Sequence, residues 1–232
     1  MPHAIGDALP HLAKVPSHVH SAFDLNAFCR GHYTLIFSYP QDSTPICTSE
    51  MVDLIRRQQA FQARGCNAVA ISNDSKQSHL SWLADIEQIA SAQVWFPVLA
   101  DEHMLLSNAL LLAPKNKRIT FRTSYLVDPE GHVCYVQQVP QNTGRDFGEI
   151  LRVLDSCQVN LTLRAVGTPA NWQRGDDVVI LPNSGGLSPS QVNRLIPKVA
   201  PVSYLQYASI SDKPGVAFQN APPMFKKEKL FL

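Results

Sequence analysis

The apolar residues of this chain change period repeatedly, and each change marks an element. Tyr33-Thr34-Leu35-Ile36-Phe37-Ser38 is an unbroken β-branched and aromatic run, which predicts a buried strand ended by Pro40. Beyond it Met51, Leu54, Ile55 and Phe61 recur at helical spacing, between a start at Thr44-Pro45 and a stop at Gly65. Asn67 to Ser72 reads as a second buried strand. A helix capped by Asp74 or Ser75 follows, with Leu80, Leu83, Ile86 and Ile89 as its expected core face. Trp95 to Leu99 predicts a short strand and Met104 to Leu112 a helical stretch. Thr120 to Val127 and Val133 to Val139 flank Asp128-Pro129-Glu130-Gly131, where Pro and Gly stand as a hairpin turn requires. Phe147, Ile150, Leu151 and Leu154 mark an amphipathic helix ending near Val159.

This order, β-α-β-α-β-α-β-β-α, implies an α/β domain over residues 1–160, a central sheet covered by helices. Residues 161–232 differ. Pro169, Pro182, Pro189, Pro197, Pro201, Pro214, Pro222 and Pro223 interrupt them and leave room for short elements only. A small helix is expected from Ser188-Pro189 and an edge strand at Tyr204-Leu205-Gln206-Tyr207. The segment reads as a small C-terminal lobe that packs on the main domain or on a partner subunit.

Composition narrows the function. At 232 residues and 45% apolar content the chain is ample for a real core. Twenty Lys and Arg against nineteen Asp and Glu leave a net charge of +1, so no basic field draws nucleic acid or an anionic membrane. No apolar run approaches the roughly 20 residues that span a bilayer. The start MPHAIGDALPHLAKV lacks the basic and apolar stretches of a secretory signal. Cys29, Cys47, Cys66, Cys134 and Cys157 are odd in number and widely spaced, without a CxxC or Cys/His ligand pattern. A reducing, cytoplasmic compartment is therefore expected, with no disulfide framework, metal or cofactor. The eight histidines, without ligand spacing, are read as structural or exposed.

One cysteine stands apart by position. If Thr44 caps the helix and Pro45 opens it, Cys47 is the third helical residue. Its sulfur then faces the unpaired N–H groups of the first turn and the positive end of the helix dipole, both of which favour the reactive thiolate. A small buried side chain would also suit that place, so position alone does not decide.

The surrounding string does. Pro40-Gln41-Asp42-Ser43-Thr44-Pro45-Ile46-Cys47 matches P-x-x-x-T-x-x-C and resembles the active-site signature of the peroxiredoxins. The match continues collinearly through Cys47-Thr48-Ser49-Glu50, Ala70 to Ser75, His79-Leu80-Ser81-Trp82, Phe96 to Asp101 and Thr143 to Arg152. Gly167-Thr168-Pro169-Ala170-Asn171-Trp172 and Gly175 to Pro182 look like the one-cysteine branch, so the resemblance spans nearly the whole chain.

That resemblance implies a thioredoxin-like α/β fold, a central mixed sheet with flanking helices plus a small C-terminal lobe. It makes Cys47 the peroxidatic nucleophile, shielded by Pro40. Thr44 would hydrogen-bond thiolate and peroxide, and Arg122, before the D-P-E-G turn, would complete the site. Glu50 is either a first-turn anion complementing the dipole or the holder of an arginine. Arg145 either reaches back to the site or sits at a helix start. A homodimer is implied, with higher assembly open and the lobe at the subunit contact.

Four departures qualify the likeness. Tyr39 stands where the one-cysteine branch usually has His, and Ser43 where an aromatic Phe is usual. Thr168 occupies the place of the two-cysteine branch's resolving Cys. The Gly-x-Ser-x-Gly string of some relatives is absent from Cys29-Arg30-Gly31-His32-Tyr33, so no phospholipase activity is inferred. The expected activity is reduction of hydrogen peroxide and alkyl hydroperoxides through a sulfenic acid on Cys47. A small thiol or a thioredoxin-like protein would restore it. The alternatives are internal resolution by Cys29, Cys66, Cys134 or Cys157, and a redox sensor or holdase in which oxidation of Cys47 changes assembly.

Overall fold

A computed structural model describes residues 3–115, 117–182, 194–198, 202 and 204–211. One compact unit closes at Phe147 and a second runs Gly148–Gln219, a division ahead of the boundary expected at 160.

The first unit holds α1 (Leu25–Cys29), β1 (Tyr33–Ser38), α2 (Pro45–Arg56), α3 (Gln58–Gln62) and β2 (Cys66–Ser72). It continues through α4 (Lys76–Ala90), β3 (Val98–Ala100), α5 (Leu105–Ala109), β4 (Arg122–Val127) and β5 (Val133–Val139). Five strands form one mixed sheet in the order β3-β2-β1-β4-β5. β1 runs parallel to β2, and β2 to β3, whereas β4 is antiparallel to both β1 and β5. This is the thioredoxin-like arrangement the sequence implied. Parallel pairs joined by helices need both faces covered, which is why β1 is buried throughout without alternation.

The two faces carry different cargo. Ile36, Val69, Ile71, Leu99, Tyr125 and Val127 build a cluster with Cys29, Leu106 and Leu110. Because side chains alternate along a strand, Phe37, Ser124 and Arg122 point to the other face, where Phe37 meets the rings of Phe96 and Phe147.

Several expected boundaries shift for local reasons. The helix expected to run on to Phe61 breaks at Arg57 (φ −90°, ψ 9°), giving α2 and α3. The strand expected at Trp95 starts instead at Val98, since Pro97 has no N–H to give a ladder. The Trp95 ring packs against those of Phe61 and Phe96. Helix α5 is shorter than expected because Met104 and Leu111 adopt positive φ at its ends. Asp101 caps it, accepting from the N–H groups of Leu106 (3.1 Å) and Ser107 (2.7 Å). In α4, Ser75 is the cap. Its buried face is His79, Trp82, Leu83, Ile86 and Ala90, while Leu80 and Ile89 are exposed. The expected stripe was rotated because it passed over a histidine whose ring nitrogens both find partners in the interior.

The second unit takes in the helix α6 (Phe147–Thr162) from Gly148 onward and a separate sheet of β6 (Val166–Gly167), β7 (Val178–Ile180), β8 (Leu195–Pro197) and β9 (Gln206–Ile210), ordered β6-β7-β9-β8. Leu163, Val166, Trp172, Val178, Leu195 and Ala208 form its core. Arg152 donates to the Trp172 carbonyl (3.2 Å) and Ser156 hydrogen-bonds Thr168 (2.6 Å), which ties α6 to this unit. The strand expected at an edge is not one: β9 lies inside, between β7 and β8. The helix expected at Ser188-Pro189 lies outside the described residues. Among the described residues no helix is long and apolar enough to cross a membrane.

Helix α4 ends on Ser91 at φ 53°, an exposed left-handed position where a side chain is strained and glycine is not. Ser91→Gly should therefore raise stability by about 0.5–1 kcal/mol, seen as a higher urea midpoint at unchanged slope.

Candidate active site

β1 delivers the chain to Tyr39 and Pro40, and a short loop turns it into α2. Ser43 makes that turn at φ 55°, a left-handed conformation costing a serine about 1–2 kcal/mol. Thr44 then has the extended backbone of an N-cap and Pro45 occupies the first helical position. Thr44 makes no capping hydrogen bond through its side chain. Its hydroxyl donates to the Gln41 carbonyl at 3.0 Å, which leaves the oxygen's lone pairs as acceptors. Its own carbonyl accepts from the Thr48 N–H (2.9 Å) and hydroxyl (2.8 Å).

Cys47 is the third helical residue and fully buried. Arg122, the first residue of β4, donates from Nη1 to its sulfur at 3.3 Å. The same Nη1 donates to Glu50 Oε2 at 2.8 Å, and Nε donates to the Gln141 carbonyl at 2.8 Å, so the guanidinium plane is held from two sides. Glu50 lies one turn after Cys47, in the second turn of α2 and not the first as expected. It holds two arginines. Arg145 donates to Oε1 from its backbone N–H and Nε, both at 2.9 Å, and to Oε2 from Nη2 at 2.7 Å. Its Nη1 reaches the carbonyls of Ser38 (2.9 Å) and Thr123 (3.3 Å), and its guanidinium lies 4.9 Å from the Phe37 ring centre. Glu50 and Arg145 therefore pair with each other.

The charges of this cluster do not cancel. Arg122 and Arg145 face a single carboxylate, all three side chains within a few per cent of full burial. One positive charge remains, beside a sulfur that would balance it as a thiolate. Arg122 is the cation that touches the sulfur; Arg145 acts on it through Glu50.

Tyr39 is buried beside this loop. Its hydroxyl donates to Asp42 Oδ1 at 2.8 Å, and His79 Nδ1 lies 2.8 Å from Asp42 Oδ2. The sequence signals neither side of this Asp42–His79 contact beyond the place of Asp42 inside the P-x-x-x-T-x-x-C string. Ser43, where the one-cysteine branch usually carries an aromatic residue, is exposed. Pro40 is half-buried between Tyr39 and the loop.

The other cysteines have different settings. Burial pushes the Cys29 thiol up to about 12 from its ordinary 9.0, and raises the Cys66 thiol further. Cys29 belongs to the cluster on the sheet face opposite Arg122. Cys66 pairs with Tyr33, six residues of extended chain or about 20 Å from the Tyr39 end of β1. The Cys134 thiol donates to the Leu126 carbonyl, likewise toward the far end of β4 from Arg122. Cys157 belongs to the second unit. Among the described residues no group of three or more His, Cys, Asp or Glu is placed to hold a metal ion.

A model of the AhpC/TSA family matches residues 5–136. A curated relative, Peroxiredoxin 1 of Sulfurisphaera tokodaii, is 37% identical over 160 residues, 69% of this chain and 74% of that one. The 1-Cys peroxiredoxin of Dictyostelium discoideum is 32% identical over 206 residues, 87% of this chain and 83% of the relative. Among solved structures, a cysteine-to-serine mutant of peroxiredoxin 6 from Arenicola marina superposes with a TM-score of 0.79 at 27% identity, covering 91% of this chain and all of that one. The yeast mitochondrial 1-Cys peroxiredoxin, at 23% identity and a TM-score of 0.77 over 90% of this chain and all of that one, shares the fold.

Two outcomes follow from these charges and thiols. Glu50→Gln strips two buried guanidiniums of their counter-ion and should destabilise the protein by about 3–5 kcal/mol in urea titrations. The unfolded Cys29 thiol titrates near 9.0 and the folded one near 12, so its contribution is complete below pH 9 and lost as pH rises toward 12. Over that window the stability gap between wild type and Cys29→Ala should narrow by about 1.4 kcal/mol per pH unit.

Proposed function

The chain belongs to the AhpC/TSA family and is a thiol-dependent peroxidase, and from that premise we propose that Cys47 is its nucleophile and that an external thiol restores it. The observation that carries the reading is the Arg122 Nη1 donor 3.3 Å from the Cys47 sulfur, inside a buried cluster with one positive charge to spare.

Attack begins from the thiolate. The sulfur displaces the distal half of the O–O bond of hydrogen peroxide or an alkyl hydroperoxide, forming an S–O bond as the O–O bond breaks. Sulfur loses two electrons and becomes the sulfenic acid, and the departing oxygen takes a proton to leave as water or an alcohol. Negative charge moves from sulfur onto oxygen during this step. Arg122 follows it with donors already in place, so little reorganisation is needed. Thr44, its proton committed to Gln41, offers lone pairs to the peroxide O–H. Pro40 supplies an apolar side to the approach.

Restoration needs two thiols: the first condenses with the sulfenic acid and releases water, and the second frees Cys47 and leaves as the disulfide. The settings of Cys29, Cys66 and Cys134, on the wrong face or toward the far end of the strands, favour a thiol from outside. Thr168, hydrogen-bonded to Ser156, offers no sulfur. The 1-Cys peroxiredoxin relatives support the same choice.

Treatment with one equivalent of peroxide should leave Cys47 as sulfenic acid in non-reducing mass spectrometry, and Cys47→Ser should abolish thiol-dependent turnover. A Cys47-linked disulfide within the chain would replace external by internal resolution. Unchanged peroxide consumption in Cys47→Ser would remove the whole assignment.

A further inference from the structure

Beside the Cys47 cluster lies a second polar group that the chemistry above does not use. Asp42 is buried in the middle of the loop between β1 and α2, and its carboxylate is fully engaged. Oδ1 accepts from the Tyr39 hydroxyl at 2.8 Å, and Oδ2 faces the Ser78 hydroxyl at 2.7 Å and His79 Nδ1 at 2.8 Å. The Asp42 N–H donates to Asp74 Oδ2 at 3.0 Å, an oxygen that also takes the Ser72 hydroxyl at 2.8 Å. His79 is fully buried, with Nε2 3.3 Å from the Leu99 carbonyl and Nδ1 3.4 Å from the Tyr39 oxygen.

The partners define the ring's role. The Leu99 carbonyl can only accept, and the Asp42 carboxyl already takes the hydroxyls of Tyr39 and Ser78. His79 thus sets Nδ1 toward the carboxylate and Nε2 toward the carbonyl, an oxygen partner for each ring nitrogen. Asp74 is the other ionisable group at this cluster, reached from the end of β2. The pair ties the loop to the end of β1, the first turns of α4 and, through Leu99, to β3.

What is tied is the strained part of the loop. Ser43, the residue after Asp42, holds its left-handed turn, and such conformations persist where the surroundings over-determine them. Gln41, the residue before, presents the carbonyl that takes the Thr44 proton. Asp42 thus anchors both the turn and the acceptor that orients the Thr44 hydroxyl at the start of the Cys47 helix.

We infer that Asp42, His79 and Tyr39 form a buried clasp that holds the Pro40–Thr44 loop in the geometry required for peroxide attack, with Asp42 and His79 as positioning residues of the reaction. The inference rests on Cys47 being the nucleophile, and it separates two properties of that sulfur. Alkylation by iodoacetamide needs only a thiolate that can be reached, whereas reaction with peroxide also needs Thr44 and Arg122 correctly set around the O–O bond.

The test compares these two rates by stopped flow on reduced protein whose folding is verified by circular dichroism. In His79→Gln the second-order rate constant with hydrogen peroxide should fall about tenfold or more, while Cys47 alkylation changes less than about twofold. Asp42→Asn should behave likewise. Ser78→Ala, which removes only the outer hydroxyl, should show a smaller loss of the same selectivity and decides the matter if the first two fail to fold. Equal losses in both reactions, or a folded variant with neither rate changed, would overturn the clasp. Failure of the nucleophile assignment would look different: Cys47→Ser would keep the peroxide reaction.

Discussion

A carboxylate buried between two guanidiniums is the constraint on which the rest of this protein depends. Glu50 comes from the second turn of α2, Arg122 from the start of β4 and Arg145 from the segment just before Phe147. No one of the three could be buried without the others, since an isolated charge removed from water costs several kcal/mol after relaxation. Together they bind a helix start to the sheet and leave one positive charge unanswered. The sulfur of Cys47 is placed to answer it.

The helix that carries Cys47 is also arranged for this purpose. β1 is hydrogen-bonded to β2 on one side and β4 on the other, so its end is held from both sides. The chain leaves that end through Tyr39, whose carbonyl accepts the Thr120 hydroxyl, and enters α2 within a few residues. The loop is short and strained at Ser43, and its polar groups are spent inward on Asp74, Ser78 and His79. Rigid supports on both sides of a strained turn hold the Cys47 sulfur and the Arg122 donor in register.

How much of this was legible in the chain varied with the distance over which the information is encoded. Strand β1, the hairpin of β4 and β5, and the start of α2 at Pro45 are local signals: an apolar run, a Pro-Gly turn, a proline at a helix start. The P-x-x-x-T-x-x-C string set Cys47 apart from the other cysteines because its parts are contiguous. The interior face of α4 was misjudged, because a histidine can be a core residue only when distant acceptors satisfy both nitrogens, and Asp42 and Leu99 are neither near it in sequence nor distinctive. The place of β9 inside its sheet was equally hidden, since pairing partners on both sides depend on strands far along the chain.

The sequence by itself determined which residue types were available at the site and the order in which they are supplied: a cysteine near a helix start, a threonine before it, an arginine opening a later strand. Those are properties of short windows, set by backbone sterics and helix-end hydrogen bonding. The tertiary structure decided which charges meet. It turned Glu50 from a helix-end anion into a bridge between two arginines, gave the Thr44 proton to Gln41, and closed Asp42 onto His79. These outcomes rest on distances of about 3 Å between groups far apart in the chain, and a buried charge takes its character from whatever folding brings within that reach.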